Sequence, residues 1–79
     1  MKPMKHTEIK QQFGAAIRKL RMEQKMTQEE LAGRTGLHRT YISEVERGER
    51  NVSLENIVKL ANALRTHVSS VFLLIEKGE

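Results

Sequence analysis

Cysteine is absent from the 79 residues, and that absence excludes disulfides, thiolate-held zinc, iron–sulfur clusters and thiol nucleophiles. Proline occurs once, tryptophan not at all, and aromatics make up 4% of the chain. No alternating apolar run persists, so strand signals are weak. The longest apolar run, Val71 to Ile75, falls far short of the ~20 residues that span a bilayer. The start, Met1-Lys2-Pro3-Met4-Lys5-His6, leads into no apolar stretch and does not read as a secretory signal. A cytoplasmic protein without membrane partners is expected. The glycines at 14, 33, 36, 48 and 78 are isolated, so no Gly-rich phosphate loop exists. His6, His38 and His67 lie far apart and lack metal-ligand spacing. No Ser–His–acid set is suggested. The expectation is no catalytic site, no metal and no cofactor.

What is present is helical and mildly basic. Lys and Arg number 14 against 10 acidic residues, a formal charge of +4. The excess sits early: nine Lys and Arg against four Glu in residues 1–40, then five against six. This balance permits a nucleic-acid partner without requiring one. A chain this short buries only ~60% of its unfolded surface, so a tight helical fold or a dimer is the expected source of stability. One domain over 1–79 is expected, with residues 1–6 as an arm.

Five helices can be placed. Thr7 is suited to cap the first, whose stripe is Ile9, Phe13, Ala16, Ile17 and Leu20, ending near Glu23–Lys25. Gly14 inside it costs ~1 kcal/mol against Ala, which points to close helix packing. Met22 and Met26 read as core filler. Thr27-Gln28-Glu29-Glu30 is a capping box, with Met26 and Leu31 placed as a hydrophobic staple. Gly36 stops this second helix with a left-handed residue. The third runs from His38 or Arg39 to about Arg47, is stopped by Gly48, and turns Leu37, Tyr41, Ile42 and Val45 inward. Ser53 caps a fourth, whose apolar side is Leu54, Ile57, Val58, Leu60, Ala61 and Leu64. A fifth spans about Ser69 to Ile75.

The short connection around Gly36 implies a helix-turn-helix at about 28–47, its second helix protruding. Arg39, Thr40, Ser43, Glu44 and Arg47 share one face of that helix, opposite Ile42 and Val45. Arg39 can bond guanine bidentately, Glu44 can accept from cytosine, and Thr40 and Ser43 can bond either partner type. The amides opening the second helix, at Gln28, suit a phosphate. Arg47, Arg50 and Asn51 can hold the DNA backbone. A solvated helix also presents a mixed polar face, and residues 38–51 hold three Arg and three Glu.

Taken in order, Gln28-Glu29-Glu30-Leu31-Ala32, Gly36-Leu37, Tyr41-Ile42-Ser43 and Glu46-Arg47-Gly48 resemble the Cro/CI-type, lambda-repressor-like helix-turn-helix regulators over about residues 12 to 75. Within that family, His38 through Ser43 with Glu46-Arg47 and Arg50-Asn51 look most like controller proteins of restriction–modification systems. The resemblance implies an all-α, five-helix domain. It implies base contacts from Arg39, Thr40, Ser43 and Glu44. It implies backbone contacts from Gln28, Tyr41, Arg47, Arg50 and Asn51, and an ion pair between Arg21 and Glu46 as scaffold. His38 stands where the family often has a Ser or Thr cap, and is placed to touch a phosphate.

In the fifth helix, Val68 and Phe72 are expected in the core, leaving Val71, Leu74 and Ile75 as an interface with a second copy. A homodimer would set two reading helices about one DNA turn (~34 Å) apart on a palindromic operator. Occupancy would then block RNA polymerase or offer it a contact surface. The rival reading is a protein-interaction or antitoxin-type module built on the same fold.

Overall fold

The structure, a computed structural model, describes residues 3–77. Five α-helices follow in chain order: α1 (His6–Glu23), α2 (Gln28–Thr35), α3 (Arg39–Glu46), α4 (Leu54–Ala63) and α5 (Val68–Glu76). No strand occurs among the described residues, and no helix is long and apolar enough to cross a membrane.

Capping decides most of these boundaries. The Thr27 hydroxyl accepts from the Glu30 amide at 3.0 Å, and the Thr27 amide donates to the Glu30 carboxylate at 2.9 Å. Met26 and Leu31 close the staple in the core. Ser53 accepts from the Asn56 amide and opens α4. The first helix starts earlier than its Thr7 cap would place it. Lys5 stands at the N-cap, and its amide donates to the Glu8 carboxylate at 3.3 Å. Of the expected arm, residues 1 and 2 lie outside the described residues, and His6 already belongs to α1.

The core joins Phe13, Ala16 and Ile17 of α1 to Leu31, Ile42, Val45, Leu60, Leu64, Val71 and Ile75. At ~25 cal/mol per Å² of apolar surface, fully burying each large side chain contributes ~1.5–3 kcal/mol before the entropy of ordering it. α1 lies across α3 and α5, while α2 rests on α3 and α4. The crossing of α1 over α3 is unusually close. A Cβ on Gly14 would overlap the Val45 carbonyl oxygen and stand 2.9 Å from that of Glu46.

Five side-chain placements, at Met22, Leu54, Val58, Val71 and Ile75, differ from the sequence reading. Val71 and Ile75 are buried in the chain's own core, because α5 turns them toward α1; only Leu74, half-buried, stays partly open. The face left to solvent carries Leu73 instead, at 52% exposure. On α4, Leu54 and Val58 are exposed at 82% and 47%, since only Leu60, Ala61 and Leu64 reach the core fully. Met22 also points outward, whereas Met26 is core.

Candidate nucleic-acid interface

Gly36 makes the turn between α2 and α3. It adopts φ +75°, a left-handed value, and its amide donates to the Ala32 carbonyl at 2.9 Å. Only Leu37 and His38 then separate it from α3. His38 is the N-cap of α3, makes no side-chain capping bond and is exposed. Gly48, at φ +77°, follows the end of α3 so close to α1 that a Cβ on it would stand 2.9 Å from Gln11 Cα. Ile42 and Val45 are fully buried behind α3, so its other side faces out.

That outer side carries Arg39 and Thr40, both exposed, and then Ser43 and Glu44, both half-buried, with Arg47 at the C-cap. The Thr40 hydroxyl is exposed and bonds no other side chain among the described residues. The Arg39 Nε lies 3.3 Å from the Glu29 carboxylate of α2. Arg47 donates to Glu49 at 2.9 and 3.2 Å and to the Ser43 hydroxyl at 2.6 Å. The Glu49 carboxylate in turn holds the Arg47 guanidinium above its ordinary pKa, and Arg47 holds Glu49 below the usual carboxylate value. Arg50 donates to Glu44 at 3.3 Å, and its guanidinium lies 4.8 Å from the Tyr41 ring centroid.

Two residues expected at the backbone also hold the scaffold. The Tyr41 hydroxyl accepts from Asn56 Nδ2 of α4 at 3.1 Å. Its own proton therefore remains to donate outward. Gln28 Nε2 donates to Glu46 Oε1 at 3.0 Å, leaving one amide hydrogen and the helix-end amides for a phosphate.

Behind them lies a part-buried hub. Arg21 reaches Glu46 through Nε at 2.7 Å and Nη2 at 3.0 Å, a bidentate pair, and Nη1 donates to the Met26 carbonyl at 2.7 Å. The bond to Glu46 raises the Arg21 pKa despite burial. α1, α2 and α3 thus meet at one carboxylate. The Arg21 side chain is largely buried and spends its guanidinium on the scaffold.

Several participants escape sequence reading. Glu29, Glu49 and Asn56 are ordinary polar positions whose partners lie on other elements. Lys10 of α1 lines one groove with Arg50 and Asn51, adding a cation beside the loop.

Residues 17–71 match the family model described as Helix-turn-helix. The control protein C.BamHI of Bacillus amyloliquefaciens is 55% identical over 53 residues, 66% of this chain and 65% of that protein. The control protein C.SmaI of Serratia marcescens is 48% identical over 71 residues, 90% of this chain and 82% of that protein. Among solved structures, the restriction–modification controller protein C.Esp1396I, crystallised as a tetramer with its natural 35-base-pair operator, superposes with TM-score 0.81 at 31% identity, over 94% of this chain and 95% of that one. The chain belongs to the helix-turn-helix family, alongside the control proteins of restriction–modification systems.

Proposed function

We propose that the protein is a sequence-specific DNA-binding transcriptional regulator, a controller of the restriction–modification type, that acts as a homodimer on a palindromic operator. One observation carries this: the outward Arg39–Thr40–Ser43–Glu44–Arg47 face, exposed at Arg39, Thr40 and Arg47, on a helix set off by the Gly36 turn. Arg39 and Glu44 are the discriminating base readers, with Thr40 between them. Ser43 aims Arg47 in the free protein and reads bases only if that bond opens. Arg47, Arg50, Asn51, Tyr41, Gln28 and His38 ring this face and serve the phosphates.

The dimer face lies on α4 and α5, where Leu54, Val58 and Leu73 are exposed beside Leu74. The mechanism is placement, without catalysis or cofactor, in the cytoplasm. Occupancy excludes RNA polymerase from the promoter or presents a surface to it.

The test is an unbiased selection of random duplexes at about 150 mM salt. A palindrome with half-sites about one turn apart is the expected product. Sequences without symmetry would sink the reading. Arg39→Ala should then cost ~1–3 kcal/mol of specific binding and relax one base position. A protein-interaction module would show little of the −0.9 slope in log K per neutralised phosphate.

A further inference from the structure

Three arginines of the reading surface are already occupied. Glu29 of α2 holds Arg39, Glu44 of α3 holds Arg50, and Glu49 of the following turn holds Arg47. We propose that Glu29, Glu44 and Glu49 are specificity-determining latches: off the operator they compete with DNA phosphates for these three arginines, and so suppress binding to duplexes of arbitrary sequence. The inference rests on the DNA-reading role of α3.

The charge balance carries it first. The six groups sum to zero, so the surface offers a polyanion little until a pair opens. Affinity for arbitrary DNA comes from counterion release, which scales with the phosphates neutralised. A latched guanidinium neutralises none.

The geometry carries it next. The pairs are exposed, with arginine side chains 50–58% open, so each is weak. An ion pair of this kind shifts an equilibrium by a factor of roughly 1.5–5. It opens readily when something better is offered. A phosphate offers a guanidinium much the same chemistry as the carboxylate already there, and the exchange gains little. At the operator the exchange comes with base contacts and close fit, each good bidentate pair adding discrimination of roughly 5–150-fold. The released carboxylates also have somewhere to go. Glu29 and Glu49 are 69% and 53% exposed and can turn to water, while Glu44 can accept from a cytosine amino group. The partners lie on different elements in the first pair and across a turn in the others, so opening them needs no unfolding.

A double-mutant cycle tests this. Glu29→Gln, Arg39→Ala and the double variant are titrated against a labelled random-sequence duplex of about 30 base pairs, from about 50 to about 200 mM salt. The same cycle is run for Glu49→Gln with Arg47→Ala. Glu29→Gln should raise affinity ~3-fold at the lower salt and steepen the salt slope by about 0.9. Both changes should vanish when Arg39 is Ala. An equal gain in the Arg39→Ala background would mean simple repulsion and overturn the latch, as would no gain at all. A parent that selects a palindrome while the cycles show no coupling loses only the latch. A parent that binds no duplex loses the DNA reading with it.

Discussion

Gly14→Ala and Gly33→Ala make the same chemical change in two helices, and the structure assigns them opposite signs. In the interior of a helix the exchange normally stabilises by ~1 kcal/mol. Gly33, in α2, has no heavy atom within 4 Å of an added Cβ, so it should gain ~0.5–1 kcal/mol. Gly14 meets the Val45 and Glu46 carbonyl oxygens, which are backbone atoms of α3 and cannot rotate away. Restoring an ordinary ~3.5 Å separation requires α1 and α3 to part by about 1 Å. Overpacking of this kind costs ~3 kcal/mol, and subtracting the propensity gain leaves a loss of ~2 kcal/mol. For a domain of this size that lowers Tm by roughly 8–16 °C. Urea denaturation followed by circular dichroism, at one fixed protein concentration because the proposed dimerisation would couple to stability, reads both effects. A Gly14→Ala protein as stable as its parent would refute the close-crossing argument. So would equal shifts at the two positions.

Glu46→Ala should destabilise by ~3–5 kcal/mol, because it strands the part-buried Arg21 and removes the acceptor of Gln28; a urea midpoint near the parent's would contradict the hub. Leu54→Glu with Leu73→Glu should yield monomers by sedimentation, with the helical spectrum retained; an intact dimer would move the interface off α4 and α5. Glu30 titrates below its ordinary value of 4.5, because the Thr27 backbone and hydroxyl bonds favour the carboxylate. A depressed folded value adds stability above the unfolded pKa, and that stability fades as pH falls through the folded one. Glu30→Gln should therefore flatten the acid limb of the stability profile below about pH 4.5, and an unchanged limb would count against the box.

Locally specified features were legible from the chain alone. The capping box at Thr27, the left-handed glycines at 36 and 48, and the Ser53 cap depend on residues three or four apart. So does the set of side chains sharing the outer face of α3. The fifth helix was not legible in the same way. Val68 to Ile75 is apolar almost all round, so period alone could not say which residues turn inward. Contact with α1 decided for Val71 and Ile75. The same limit applies to Leu54 and Val58, at the edge of a stripe wider than the core it meets. The bonds of Glu29 to Arg39, Asn56 to Tyr41 and Gln28 to Glu46 each join different helices, and only the tertiary arrangement brings them together. Thr7 is a suitable cap by type, but α1 begins two residues earlier than that cap implies, with Lys5 at the N-cap and the Lys5 amide donating to Glu8.

The reading helix has eight residues, too few to persist in water by itself. Its form is maintained by burial of Ile42 and Val45 together with the carboxylate where α1, α2 and α3 meet. The conformational entropy of ordering it is therefore lost during folding, before any DNA arrives. Association should show the heat-capacity change of joining two finished surfaces, without the larger one of coupled folding. Amides from Ile42 to Glu46, past the unbonded first turn of α3, should exchange with solvent only when the whole domain opens. On the proposed reading, Glu46, set behind the outer face of α3, thereby helps decide whether that face is formed ahead of the encounter.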